Sequence, residues 1–246
     1  MRMFHVEHSF IRYEIVPRGT LRGNMIDTVI FDFNGTLYFD KDLNEESWRI
    51  IYKEILGDDK NFDNELETIL GTKTDSNIDD FFKRRGQNVS REILNEYSLK
   101  KESLYQDLAK KKNRNCLAAG ATELLDYLKE NNIQTFLATA SIKYNVDFYL
   151  EYVGLNKWFD YSRITYDDGI NKNKKEMYLK AISLANTNIN NILAFDDTYN
   201  SIKAGIEAGI NKVIRINPHN YKHLDNKCII DELNDYTKLD YSIFKK

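Results

Sequence analysis

The chain's first marked apolar run, Ile26 to Phe31, is short, rich in β-branched residues and stopped by a turn at Asn34-Gly35. A short apolar run bounded by a turn signal predicts a buried β-strand. From about Asp42 to Lys112 no such run recurs. Instead Trp48, Ile51, Ile55 and Leu56, and later Phe81, Ile93, Leu94, Tyr97, Leu104 and Leu108, recur at helical spacing, which predicts a block of helices. From Ala121 the pattern alternates. A helical stretch (ATELLDYLKE) gives way to a strand (IQTFLA), a helix (KYNVDFYLEYV), a basic loop, a helix (EMYLKAISLA), a strand (NILAF), a helix (SIKAGIEA) and a strand (KVIRI). Strands separated by helices call for a parallel sheet with right-handed crossovers. The fold class expected is therefore α/β, a doubly wound parallel sheet with an inserted all-helical subdomain. The core is expected over residues 25–38 and 116–246, the helical insertion over 39–115, and an N-terminal extension over 1–24.

In such a sheet ligands bind at the carboxyl ends of the strands, near a switch in strand order, so the residues after Phe31, Ala138 and Phe195 carry the argument. The first strand ends in Asp32, followed by Phe33, Asn34, Gly35, Thr36 and Leu37. A carboxylate beside a turn with inward-facing amides can attack phosphorus, and it can also be an ordinary strand-turn acid. The second strand ends in Thr139, Ala140 and Ser141, whose hydroxyls can bind a phosphoryl oxygen or cap the next helix. The third ends in the adjacent acids Asp196 and Asp197, which repel each other unless a cation sits between them; hard oxygen ligands of this kind suit Mg2+. Before the helix EMYLKAISLA, the loop supplies Lys172, Lys174 and Lys175. A lysine run is usually a solvated face, but a site of several acids and an anionic substrate needs at least one cation. Acid, hydroxyl, lysine and acid pair fall in that order at the ends of one sheet, and their joint occurrence points to phosphoryl transfer.

Composition narrows the partners. In 246 residues, 35 Lys+Arg stand against 38 Asp+Glu, a net charge of -3 without the basic surplus that marks a nucleic-acid binder. The longest apolar stretches fall short of the roughly 20 residues a membrane span needs. Cys116 and Cys228 stand in unrelated contexts, which argues against zinc or a disulfide framework and for a reducing, cytoplasmic setting. Residues 1–24 lack the apolar core of a secretory signal, and Met25, directly before the first strand, is an alternative start. His5 and His8 have no surrounding ligand pattern and read as part of a tail. A monomer or weak dimer is expected.

These motifs resemble the haloacid dehalogenase superfamily, particularly the branch of β-phosphoglucomutase and phosphoglycolate phosphatase, over about Ile26 to Ile216. DFNGTL resembles the motif that carries the nucleophile, which places that role on Asp32. LATAS resembles the phosphate-binding motif, placing Thr139 on the phosphate with Ala140 and Ser141 beside it. Counting back from Tyr178, the family's lysine falls on Lys172. The prolines of that pattern are replaced by Asn173 and Lys175, so Lys174 competes. AFDDTYNSIKAGIEAG resembles the metal motif, with Asp196 and Asp197 as its acids and Ser201 where relatives commonly have Gly. The resemblance implies Mg2+ held by Asp32, the carbonyl of Asn34, Asp196 and Asp197. It further implies substrate contacts from Gly35 and Thr36, and a mobile helical cap whose loop Gly71-Thr72-Lys73 dips into the site, with Lys73 touching a distal anion. The expected substrate is a small phosphorylated metabolite.

One departure matters. Asn34 stands where a phosphatase of this family carries its acid/base Asp, and an amide does not titrate in the useful range. General acid/base catalysis is typically worth about 10²–10⁴ in rate. Three readings follow: a modest phosphatase suited to good leaving groups such as acyl phosphates; a degenerate site that binds a phosphorylated ligand or a partner without turnover; or other chemistry of the superfamily, such as phosphomutase, phosphonate or haloacid cleavage. The retained acid pair argues against metal-free dehalogenation. Asn followed by Gly is also prone to deamidation, which would regenerate an Asp at position 34.

Overall fold

The computed structural model describes residues 25–70, 73–171 and 173–244. The expectations for residues 1–24, Gly71, Thr72 and Lys172 fall outside these. Six parallel strands form one sheet in the order β3-β2-β1-β4-β5-β6. They are β1 (Thr28–Phe31), β2 (Gln134–Ile142), β3 (Ile164–Asp167), β4 (Ile192–Asp196), β5 (Val213–Ile216) and β6 (Ile229–Leu233). The predicted strands are β1, β2, β4 and β5. β3 lies in the stretch read as a basic loop, and β6 lies in a C-terminal region where no strand was expected.

The period of two sorts the side chains between the faces. Val29, Phe31, Leu137, Leu193, Phe195, Ile214 and Ile216 pack with α5 (Ala121–Glu130) and α6 (Lys143–Glu151), whereas Ile30, Phe136, Ala138, Ile192, Ala194 and Val213 pack with α7 (Lys174–Ala185) and α8 (Tyr199–Glu207). β1 sits centrally, with β2 on one side and β4 on the other, and consecutive strands run outward from it in both directions. That is a switch point, and the ends of β1, β2 and β4 open onto it. Beneath them the rings of Phe31 and Phe195 stack at 5.1 Å, with Tyr236 tilted against Phe195 at 5.4 Å.

Between β1 and α5 come four helices: α1 (Lys41–Leu56), α2 (Phe62–Leu70), α3 (Thr74–Arg84) and α4 (Arg91–Lys111). They enclose a second core of Trp48, Ile51, Tyr52, Phe62, Ile78 and Phe81. The separation is not complete. Leu43 at the start of α1, and Tyr105, Leu108 and Ala109 in the second half of α4, belong to the core under the sheet.

Candidate active site

Asp32 follows the last residue of β1 and is 7 % exposed. The chain turns sharply behind it: Tyr38 and Thr36 donate their amides to the Phe33 carbonyl, and the Gly35 amide donates to the Tyr38 carbonyl at 2.8 Å. Gly35 takes φ +77°, and a Cβ there would stand 2.3 Å from Asp197 Oδ2, so both the backbone and the space demand glycine. The loop thus brings the end of β1 into contact with the acid that follows β4.

The cation of the site is Lys174. Its ammonium donates to Asp32 Oδ1 at 2.5 Å and to the Ala138 carbonyl at 2.6 Å, and lies 3.6 Å from Asp196. Asn173 explains this placement. Its side chain caps α7 by accepting the Glu176 amide at 3.0 Å, so Lys174 becomes the first helical residue. Side chains there project back toward the helix N-terminus, in this case toward the strand ends. Lys172, which the spacing from Tyr178 selects, lies outside the described residues; the competing choice is the one seated in the site.

Asp32, Asp196 and Asp197 each present an oxygen within 4.8 Å of the others. Burial, and then the neighbouring Asp196, push the Asp32 carboxyl up to about 6 even with Lys174 beside it. Burial and the charges of Asp32 and Asp196 hold Asp197 well above the usual carboxylate range. Burial works against the Lys174 charge, but Asp32 and Asp196 outweigh it and keep the ammonium. Among the described residues three acids face one cation, which leaves them short of positive charge. An all-oxygen donor set of that kind fits Mg2+, as does the tight cradle of Gly35 under Asp197. The residues that could hold the ion are Asp32, Asp197, Asp196 and the Asn34 carbonyl.

Thr139 is buried within β2, which runs three residues beyond it to Ile142, further than the apolar run suggested, and its hydroxyl oxygen accepts the Ser141 amide at 3.2 Å. Ala140 is exposed and Ser141 partly so. Here the register between β2 and β3 shifts, between Ala138 and Ile142. The Thr36 hydroxyl lies 3.5 Å from Asp32 Oδ2. Lys73 is exposed where α3 begins, and its ammonium makes no hydrogen bond or ion pair with the described residues of the site.

Asn34 is held on every side. Its amide nitrogen donates to Asp40 at 2.6 Å and to Tyr149 at 3.1 Å, and its oxygen accepts from the Ser141 hydroxyl at 2.9 Å. Tyr105 also donates to Asp40, at 2.7 Å. Burial raises the Asp40 carboxyl above its ordinary range, and the bonds from Tyr105 and Asn34 only partly oppose it. The same arrangement opposes deamidation: the Gly35 nitrogen that would attack is itself hydrogen-bonded, and the amide cannot rotate without breaking its contacts. From Asp40 a buried chain of polar contacts runs into the helical layer. Asn44 donates to Asp40 at 3.0 Å and accepts from Lys101 at 2.9 Å; Lys101 pairs with Glu102 at 3.3 Å, and Glu102 accepts from Asn145 of α6 at 2.7 Å. Sequence reasoning missed Asp40, Tyr105 and Tyr149. The only local signal was an acid set in the otherwise apolar run LYFD.

Residues 26–209 match the haloacid dehalogenase-like hydrolase family. Among solved structures, a haloacid dehalogenase hydrolase of family IA, variant 3, from Entamoeba histolytica is similar at 28% identity and TM-score 0.78, covering 89% of this chain and 97% of its own. β-Phosphoglucomutase from Clostridium difficile shares the fold at 24% identity and TM-score 0.69, covering 89% of this chain and 95% of its own. CbbY from Rhodobacter sphaeroides, in complex with phosphate, does so at 18% identity and TM-score 0.71, covering 90% of this chain and 100% of its own. No curated protein matches the sequence. A six-stranded parallel sheet, acids at the ends of its two central strands and a family match spanning most of the chain agree: the protein belongs to the haloacid dehalogenase-like hydrolases.

Proposed function

We propose that this hydrolase is a Mg2+-dependent phosphatase that cleaves small phosphorylated metabolites through an aspartyl-phosphate on Asp32, and that it favours substrates with good leaving groups. The observation that carries the reading is Lys174, largely but not fully buried and reaching both Asp32 and Asp196 at the mouth of the switch point. It orients the nucleophile and offsets the charge of an incoming phosphoryl group. Asp32 attacks phosphorus, the bond to the leaving oxygen breaks, and the leaving group departs with the electron pair. Water then attacks phosphorus, its proton passes to a phosphate oxygen or to solvent, and the Asp32 carboxylate is restored. Thr139 would offer its hydroxyl to a phosphoryl oxygen, and Ser141, whose hydroxyl donates to Asn34, would do so only by giving up that bond. Asp32, Asp197 and the Asn34 carbonyl would hold Mg2+, which would supply positive charge to the phosphoryl oxygens. A phosphorylated small molecule as substrate is in keeping with CbbY, which has been crystallised with phosphate and, in a mutant form, with xylulose-(1,5)bisphosphate.

The leaving-group preference follows from Asn34. Among the described residues no further titratable side chain stands where Asn34 stands: Asp40 lies behind the amide and is 2 % exposed, and Lys174, Asp196 and Asp197 are engaged with Asp32 and with one another. An alkoxide leaving group must therefore depart without a positioned proton donor, whereas an acyl phosphate releases a carboxylate that needs none. Phosphate release from acyl phosphates and from alkyl phosphates, with and without Mg2+, tests the reading. Acyl phosphates should turn over, Asp32→Asn should abolish turnover, and omission of Mg2+ should do the same. Retained activity in Asp32→Asn would overturn the mechanism. Tight binding of phosphorylated ligands with no turnover of either class would show a binding protein instead, and chloride release from a haloacid without Mg2+ would show different chemistry.

A further inference from the structure

The two adjacent acids after β4 are treated very differently by their surroundings. Asp196 is fully buried. Its Oδ1 accepts the amides of Asp197 at 2.8 Å and Thr198 at 3.4 Å. Its Oδ2 accepts the Tyr178 hydroxyl at 2.6 Å and the Ser201 hydroxyl, with Lys174 at 3.6 Å. An ionised carboxyl offers about four lone-pair positions, and here all are taken. A cation approaching Asp196 would have to displace a hydroxyl or an amide. Asp197, by contrast, is partly exposed, and no side chain among the described residues donates to its carboxylate. Its Oδ2 lies against Gly35 in the nucleophile loop, and its backbone carbonyl is tied by Arg215 Nε at 3.2 Å, which fixes the residue while leaving the carboxyl free.

The donors to Asp196 belong to three elements. Tyr178 and Lys174 lie on α7, Ser201 lies in the first turn of α8, and the two amides follow β4. Tyr178 is itself wedged over Gly205 of α8, where a Cβ would come within 3.2 Å of its ring. Asp196 therefore joins α7 to α8 under the site, with Lys174 suspended between it and the nucleophile.

We propose that only Asp197 of this pair is offered to the metal, and that Asp196 is a positioning residue, held by Tyr178 and Ser201, that keeps Lys174 against Asp32. The proposal rests on the metal-dependent reading above and divides its labour: Asp197, Asp32 and the Asn34 carbonyl face the cation, while Asp196 acts through the lysine.

Titration calorimetry with MgCl2 alone, in the absence of any substrate, separates the roles. Asp197→Asn should lose measurable Mg2+ binding. Asp196→Asn should bind Mg2+ within about threefold of wild type while phosphate release from an acyl phosphate falls, because altering a direct ligand's surroundings costs affinity and altering the lysine's does not. If Asp196→Asn fails to fold, Tyr178→Phe/Ser201→Ala carries the test. Removing the partners of a true metal ligand typically costs about 10–100-fold in metal affinity, whereas the proposal expects a lowered kcat with the Mg2+ Kd again within about threefold. Loss of Mg2+ binding in folded Asp196→Asn, or a weakening of tenfold or more in the double variant, would overturn the assignment. A wild type that takes up no Mg2+ would refute the metal-dependent reading as well, a result distinct from any difference between variants.

Discussion

Asn34→Asp restores the residue that relatives of this family carry, but the restored carboxyl would not be alone. The amide nitrogen it replaces lies 2.6 Å from Asp40 Oδ2. Two carboxylates that close cannot both ionise, and the pair should hold one proton between them. Even relaxed to about 4 Å, two like charges at an effective dielectric of about 20 repel by roughly 4 kcal/mol, or about 3 pKa units. Asp40 is already raised by burial, so the shared proton persists well above the ordinary carboxylate range. Asn34→Asp/Asp40→Asn mirrors the native pair instead: the new acid accepts an amide hydrogen bond, and its proton is lost at lower pH. The assay is phosphate release from an alkyl phosphate and an acyl phosphate across pH, with saturating MgCl2. Both variants should gain on the alkyl ester, by about 10²–10⁴ at the optimum. The alkaline fall of the single variant should lie about 3 pH units above that of the double. The acyl phosphate should change little in either. If neither variant gains on the alkyl ester, the missing proton donor is not what limits turnover; superimposable pH profiles would show that positions 34 and 40 do not communicate.

Other expectations are independent of Asn34. Lys174→Met removes the only cation that pairs with Asp32 and Asp196 among the described residues; stripping one partner from a buried ion pair costs about 3–5 kcal/mol, so a denaturant melt should show that loss and lower pH should recover part of it. The Asp32 carboxyl is raised from 3.8 to about 6 in the folded chain, so its contribution to stability is fully present below about pH 4 and is lost as pH rises through about 6, a change of roughly 3 kcal/mol. Mg2+ prefers the ionised acids, so the rise in melting temperature on adding MgCl2 should be larger at about pH 7.5 than at about pH 5.5; equal shifts would contradict the burial of charge described here. Gly35→Ala should cost about 1–2 kcal/mol for the left-handed backbone alone, and should weaken Mg2+ binding in calorimetry because the new methyl displaces the Asp197 carboxyl.

The features legible in the sequence are those whose cause is local. β1, β2, β4 and β5 are short apolar runs, and the acids at the ends of β1 and β4, Asp32, Asp196 and Asp197, meet because a parallel sheet gathers its carboxyl ends. β3 escaped because its four residues, ITYD, pair polar with apolar and run into the basic stretch NKNKK; β6 escaped because it is an edge strand whose residues stay partly or fully exposed. The lysine turned on one residue, since capping by Asn173 decides where α7 begins and hence which side chain reaches back to the strands. The surroundings of Asn34 were beyond the sequence altogether. Asp40 is six residues away, but Tyr105 and Tyr149 come from α4 and α6, and no spacing rule links them before the chain has folded.

Helix α4 carries a mechanical consequence. Its first half lines the core of the helical layer, with Ile93, Leu94 and Tyr97, and its second half is embedded under the sheet through Tyr105, Leu108 and Ala109. It is a beam clamped at one end, and the clamp begins near Lys101. A swing of the helical layer therefore bends or tilts this beam rather than turning freely on the two chain crossings. At about 1.5 Å per residue the free arm from Lys101 to Arg91 is about 15 Å long, so a deflection of about 10° moves its tip by roughly 2.6 Å. α1, which enters the core under the sheet through Leu43, would share the load of that deflection with α4, and with it the same buried contacts that reach Asn34.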